Sequence, residues 1–360
     1  MEKLGERWEK SRLRHQAWWE GEVLDRVLLQ VVAPKKNIPA SESSRRDLRK
    51  LWLDPDYRLA NMDRALETTY YAGDAFPYLN TSLGPGTFCL YLGACPEFTP
   101  HTVWYHPCFE DISTAIPPVF DEKNIYWQFT INLCQKAVKQ SKGRYLVGYP
   151  DLIENLDTLA SLFGTEKLLQ ALFDYPEKIH QLQKHILPIY LSCHKRIYEI
   201  IRDEHGGSCF SHFSIYGHGQ IAKLQCDFSA MISKKMFAEF VLPYLDQQCR
   251  SLDYTVYHWD GPGALHHEAS LLSLSSLQAI QWTPGAGQEP VGHQRWWPMY
   301  HRVRKAAKSL LLLGVTPAQA QALVEELGPE GLNLLVTVDT PQQAEELVRQ
   351  AKNWKKKRIW

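Results

Sequence analysis

The sequence predicts an α/β fold, a single (β/α)8 TIM barrel, on three observations. Short runs rich in Val, Ile, Leu and aromatic residues alternate with longer segments whose apolar residues recur at helical spacing. Eight such strand–helix units can be read along the chain, and an alternation of this kind implies a parallel sheet that eight units close. The alternative, an open doubly wound sheet, gains no support, because no G-x-G-x-x-G follows a strand.

The elements follow in order. Residues 1–25 read as a Trp-rich helical arm, "MEKLGERWEKSRLRHQAWWEGE" and its continuation. Strands are predicted at 26–34, 75–82, 144–151, 209–217, 254–261, 277–285, 308–315 and 331–339. Helices are predicted at 54–71, 125–141, 155–174, 177–203, 234–250, 293–307, 317–327 and 341–354. Three of these start where helix chemistry expects: Asp54-Pro55, Thr316-Pro317 and Thr340-Pro341 each set an oxygen-bearing cap before a proline in the first turn. Residues 83–120, aromatic and proline-rich, exceed an ordinary barrel loop and read as a binding loop or lid over the mouth. No repeat of 20 to 50 residues indicates a solenoid, and residues 1–360 are expected to form one barrel domain.

Composition narrows the function classes. Lys plus Arg and Asp plus Glu stand at 40 each, so no global field favours nucleic acid or an anionic membrane. The basic run at 352–358 reads as a solvated tail. No apolar run approaches the roughly 20 residues of a membrane span, and the charged first segment lacks a signal peptide's apolar centre; a cytoplasmic protein is expected. The 8 cysteines show no CxxC pair, which argues for reduced, core-filling thiols.

In a parallel barrel the chemistry lies at the C-terminal ends of the strands. The residues there are Asn80, Tyr149 and Asp151, His212, Ser214, Tyr216 and His218, His258 and Asp260, Gln281 and Trp282, then Thr337 and Asp339. In "TVYHWDGPGAL" (255–265), His258 and Asp260 stand two apart on a strand and so face one side, while Tyr257 and Trp259 pack the other way. Either the pair forms a reactive centre, or it is an imidazole bonded to its neighbouring aspartate beneath a loop. Cys226 and Asp227 follow the fourth predicted strand. A thiolate, an imidazole and a carboxylate there would supply the three protein ligands of an open zinc site; the alternative for Cys226 is inert packing. Gln281 reads as a polar contact to substrate and Trp282 as a stacking wall, or as core. Gly285 and Gly287 free the backbone beyond them.

The blocks "GDAFPYLNTSLGPG…YLG", "MISKKMFAEFVLPYLDQQCRSLDYTVYHWDG" and "TPQQAEELV", in this order, resemble the uroporphyrinogen decarboxylase-like superfamily over nearly the whole chain. The resemblance implies a (β/α)8 barrel shared by the decarboxylase and the corrinoid-dependent methyltransferases. The decarboxylase branch implies an arginine-rich motif after the first strand and an aspartate after the second. Here "VVAPKKN" and "PYLNTS" stand instead, with Asn80 near the aspartate position. The methyltransferase branch implies zinc held by His-x-Cys-Gly and a cysteine near the last strand. Here His258 matches, Asp260 replaces the first cysteine, and "LLVTVDTP" has none.

The expectation is therefore a metal-assisted, corrinoid-dependent methyltransferase acting on a small O- or N-methyl substrate. His258 and Asp260 are expected as catalytic residues, and His258, Asp260 and Cys226 (or Asp227) as metal ligands. Asn80, His212, Tyr216, Gln281 and Trp282 are expected to bind substrate. The expected cofactors are zinc and a corrinoid as methyl acceptor, and the expected partners a corrinoid protein and a second copy in a homodimer. The alternatives are a small-molecule decarboxylase or lyase using Asp260 and His258 as acid and base, and a non-catalytic protein binding a small molecule or corrinoid.

Overall fold

A computed structural model describes residues 4–35 and 47–357, so Lys36 and Asn37, just beyond the first predicted strand, and the extreme termini lie outside the described residues. Thirteen strands are found among them: β1 Leu28–Pro34, β2 Thr69–Gly73, β3 Tyr78–Leu79, β4 Cys95–Phe98, β5 Val103–His106, β6 Leu146–Tyr149, β7 Gly207–Phe210, β8 Ile215–His218, β9 Ile221–Gln225, β10 Tyr254–Asp260, β11 Ala279–Thr283, β12 Ser309–Val315 and β13 Leu332–Thr337.

The fold is mixed α/β. A seven-stranded sheet runs β2-β1-β13-β12-β11-β10-β9, parallel throughout except at the antiparallel edge β2. A four-stranded sheet runs β3-β6-β7-β8, parallel except at β8, and β4-β5 form a separate hairpin. Among the described residues the backbone ladder does not close into a ring. At one margin the two larger sheets are joined through a side chain, the Ile221 N–H donating to Ser208 Oγ at 3.4 Å; near the other, Asp74 in the β2–β3 connection accepts the Leu29 N–H at 3.0 Å.

Helices cover the outer faces, as buried parallel strands require. Strand residues alternate accordingly: Tyr257, Trp259 and Trp282 point outward into a buried apolar layer, where Trp282 packs edge-on against Trp259 and tilted against Trp296. Several helix starts match the sequence reading. Thr316 and Thr340 each form a capping box with Gln319 and Gln343, and Asp54 caps the helix Pro55–Thr68.

Four expectations are corrected. The strand predicted at 209–217 is the β7–β8 hairpin, because the chain reverses at 211–214, where Ser214 takes a left-handed φ of 50°. The next strand of the parallel sheet is β9, Ile221–Gln225, to which the sequence reading assigned no element. The helix predicted at 155–174 is interrupted at Gly164, φ 93°, and the one at 234–250 at Val241, ahead of Pro243. Residues 69–73 leave the helix predicted at 54–71 to form β2, since their β-branched and aromatic side chains fit an edge strand.

The arm, with its helix Gly5–Trp19, docks at the end of the sheets opposite the strands' C-termini. Trp18 Nε1 donates to Leu310 O at 3.0 Å and Trp19 Nε1 to Tyr216 O at 2.9 Å. Beneath it Asp74, fully buried, receives Arg14 and Arg26. The 83–120 excursion is partly structured: Phe88, Cys89, Leu90 and Tyr91 are buried in a one-turn helix, and the β4–β5 hairpin follows.

Candidate functional site

Parallel pairing puts the strand ends of β9, β10 and β11 on one edge, and that register builds the site. His258 pairs with Gln225 on one side and Gln281 on the other, and Asp260 with Thr283. Because side chains two apart share a face, Lys223, Gln225 and Asp227 follow one another toward the same rim that receives His258 and Asp260. Gly261, at φ 73°, turns the chain out of β10 in a conformation that glycine adopts without strain.

Asp227, His258 and Asp260 form the centre. One ligand-type atom from each lies within 4.8 Å of the others, and His258 Nε2 is 3.9 Å from Asp260 Oδ2. The orientation of His258 is set from behind. Gln281 Nε2 donates to Trp282 O at 2.9 Å and to Thr283 Oγ1 at 3.0 Å, which turns Gln281 Oε1 toward His258 Nδ1. A carbonyl oxygen only accepts, so the imidazole proton sits on Nδ1 and the Nε2 lone pair faces the carboxylates. Burial, then the nearby Lys223 charge, lower the His258 pKa and keep the ring neutral, the form that binds a metal.

Asp227 is held by its own backbone. Asp157, in the first turn of the helix Leu156–Phe163, accepts the N–H groups of Asp227 at 2.9 Å and Phe228 at 2.8 Å. Gln225 Nε2 donates to Asp227 Oδ2 at 2.9 Å. Desolvation, followed by repulsion from Asp157, raises the Asp227 pKa to about 7. Two carboxylates and a neutral imidazole with open positions form a donor set that suits a divalent cation, and bound positive charge would relieve that repulsion.

The floor carries a buried ion pair. Lys223 Nζ lies 2.6 Å from Asp151 Oδ1 and also donates to Gln225, joining β9 to the end of β6. The Asp151 N–H is taken by Ser82 Oγ and its carbonyl by the Thr87 N–H, so the start of the 83–120 excursion is tied to this floor. On the far wall stands a second histidine, His212, on the turn between β7 and β8; Asn80 Nδ2 faces His212 Nε2 at 3.1 Å. His212 is solvent-accessible, yet desolvation by the surrounding walls lowers its pKa, as befits a side chain standing inside a concavity. Phe213, next to His212 in the chain, brings its ring to 5.5 Å from that of His258.

Of the residues singled out in the sequence, His258, Asp260 and Gln281 come together here, and Asn80 and His212 meet across the same mouth. Three point elsewhere. Cys226 lies between Gln225 and Asp227 and so faces the opposite side; it is buried in the apolar layer, and burial holds its thiol well above the usual range, so it does not join the ligand cluster. Tyr216, beyond the reversal at 211–214, packs against Trp8 and Phe76 under the arm and donates to Asp203 Oδ2 at 2.8 Å. Trp282 faces outward, as described. Lys223, Asp157 and Phe213 were not singled out in the sequence. The β-pattern "IAKLQ" before Asp227 is the signal that would have found Lys223.

No family model matches the chain, and the comparison with curated proteins gives no match. Among solved structures the chain resembles a methyltransferase from Methanosarcina mazei: TM-score 0.57, 12% identity, covering 95% of this chain and 98% of that one. At this identity the likeness speaks for the fold. None of the described helices is long and apolar enough to cross a membrane.

Proposed function

We propose that the chain is a metal-assisted methyltransferase of the uroporphyrinogen decarboxylase-like superfamily, with its two sheets arranged as one (β/α)8 barrel. The methyl group is taken from a small O- or N-methyl substrate and passed to a corrinoid carried by a partner protein. The observation that carries the reading is the convergence of Asp227, His258 and Asp260 at one strand-end rim, in a chain whose overall fold resembles a methyltransferase.

Asp227, His258 and Asp260 would hold the cation, zinc in this reading. Bound there, it supplies a Lewis acid for the oxygen or nitrogen that loses its methyl group. The corrinoid supplies the methyl acceptor. The chain's own residues do the positioning. Gln281 fixes the ring of His258, Asp157 and Gln225 fix Asp227, and Lys223 with Asp151 forms a rigid charged floor. Phe213 walls the space between the two histidines and limits water there. The chain works in the cytoplasm, as a homodimer.

A second reading is favoured by one observation. Asp227, with a pKa raised to about 7 by desolvation at the rim and by Asp157, is partly protonated near neutral pH, as a general acid in a metal-free lyase requires. Elemental analysis of the purified protein separates the two. One equivalent of zinc, lost in His258→Ala together with methyl transfer to free cob(I)alamin, supports the methyltransferase. Full activity in metal-free protein would overturn it in favour of the lyase.

A further inference from the structure

We infer that Asn80 and His212 dock a carboxylate on the substrate, so that the molecule processed at the His258 end is a small methylated acid. The inference rests on the metal-centred reading above and adds the class of substrate.

Hydrogen-bond logic assigns the donors. Asn80 Oδ1 accepts the Ser82 N–H at 2.9 Å, so the amide nitrogen is the atom that faces His212. His212 Nε2 therefore accepts, and the ring proton sits on Nδ1, which meets no acceptor among the described residues. Asn80 Nδ2 keeps a second N–H. Two adjacent side chains thus offer free N–H donors at an accessible mouth.

Charge selects the ligand. Arg58, on the helix Pro55–Thr68, donates to the carbonyl oxygens of Asn80 and of Ser82, the latter at 3.0 Å, and so brings a cation behind the pair. His212 feels Asp151 first and then Lys223 and Arg58; Asp151 and Lys223 are paired at 2.6 Å and largely cancel, which leaves Arg58 as the net charge behind this wall, whereas the opposite wall carries Asp227 and Asp260. With a divalent cation held by Asp227 and Asp260 that wall is close to neutral, and the free N–H donors backed by Arg58 draw a ligand carboxylate to the His212 wall. Its other end then meets His258, Asp227 and Asp260, with the Phe213 ring alongside a short carbon skeleton.

Calorimetry on the full chain with zinc tests this. The probes are methoxyacetate, 3-methoxypropionate and 4-methoxybenzoate, each against its matched alcohol: 2-methoxyethanol, 3-methoxypropan-1-ol and 4-methoxybenzyl alcohol. At least one acid is expected to bind about tenfold or more tightly than its alcohol, the scale of a charge-assisted hydrogen bond. His212→Leu and Asn80→Ala should remove that preference while zinc content stays unchanged, and His212→Gln, which retains an N–H, should restore part of it. An acid held by the metal alone would keep its preference in His212→Leu, and that result overturns the proposal. So does the absence of any acid preference in the wild type. Failure of the metal reading has a different signature: no stoichiometric zinc, with the acid preference still present in metal-free protein and still dependent on His212.

Discussion

Gln281 Oε1 accepts the Nδ1–H of His258, and the same amide is pinned by the carbonyl of Trp282 and the hydroxyl of Thr283. Three consecutive residues of β11 thereby decide which nitrogen of a β10 histidine is free. Gln281→Leu removes the acceptor and releases the ring. Zinc affinity, measured by competition with a chelating indicator, should fall about 10- to 100-fold, as when the outer partner of a ligating histidine is lost. An unchanged affinity would show that Gln281 does not orient the ring.

Glu154 gives a pH signature. Its side chain is buried with neither carboxylate oxygen hydrogen-bonded, and burial raises its pKa to about 8. In the unfolded chain it returns to the ordinary value of 4.5, so between these values the folded state binds a proton that the unfolded state does not. Stability therefore falls as pH rises from about 4.5 to about 8 and levels off above. Glu154→Gln removes this loss. The variant should match the wild type near pH 4.5 and exceed it above pH 8 by on the order of a few kcal/mol in urea unfolding. Equal stabilities at both pH values would refute the assignment.

Lys223 and Asp151 form a buried pair with side-chain exposures of 3% and 9%, so neither charge tolerates losing the other. Lys223→Met should cost about 3–5 kcal/mol of stability. The double variant with Asp151→Leu should cost clearly less than the sum of the single changes, since it leaves no buried charge behind. Strict additivity in the cycle would mean that the pair is not coupled.

Asp74 anchors the arm by accepting from Arg14 at 3.0 Å, Arg26 and the Leu29 N–H. Asp74→Ala leaves the buried Arg26 without this carboxylate, and a loss of about 3–5 kcal/mol is expected in chemical denaturation. The site lies at the other end of the sheets, so zinc affinity of the folded fraction should be unchanged. A selective loss of zinc affinity would contradict this separation.

The alternation of strands and helices was legible because apolar period and caps followed by proline are local signals, and His258 with Asp260 was legible because both sit on one strand beside a Gly-Pro-Gly stop. Lys223 was not. A lysine in a short run reads as solvent-facing, and only the register of β9 against β10, together with Asp151 from a distant strand, turns it inward. Cys226 and Tyr216 went astray for related reasons. In a strand a one-residue offset reverses the face, so Cys226 faces away from its neighbour Asp227. A reversal within a predicted strand sends the two halves to opposite ends, which separates Tyr216 from His212. Asp157 acts through backbone N–H groups, which residue types do not reveal.

The arm's attachment also orders events in time. Trp18 bonds to the carbonyl of Leu310, 292 residues further along. On a ribosome that emits the chain from its amino end, this helix emerges ahead of the thirteen strands, yet the Trp18 bond forms only once β12 has cleared the exit. Trp8 and Trp19 find Phe76 and Tyr216 earlier, whereas Trp18 has no acceptor until then, so a late contact of the assembled sheets is made by an early part of the chain.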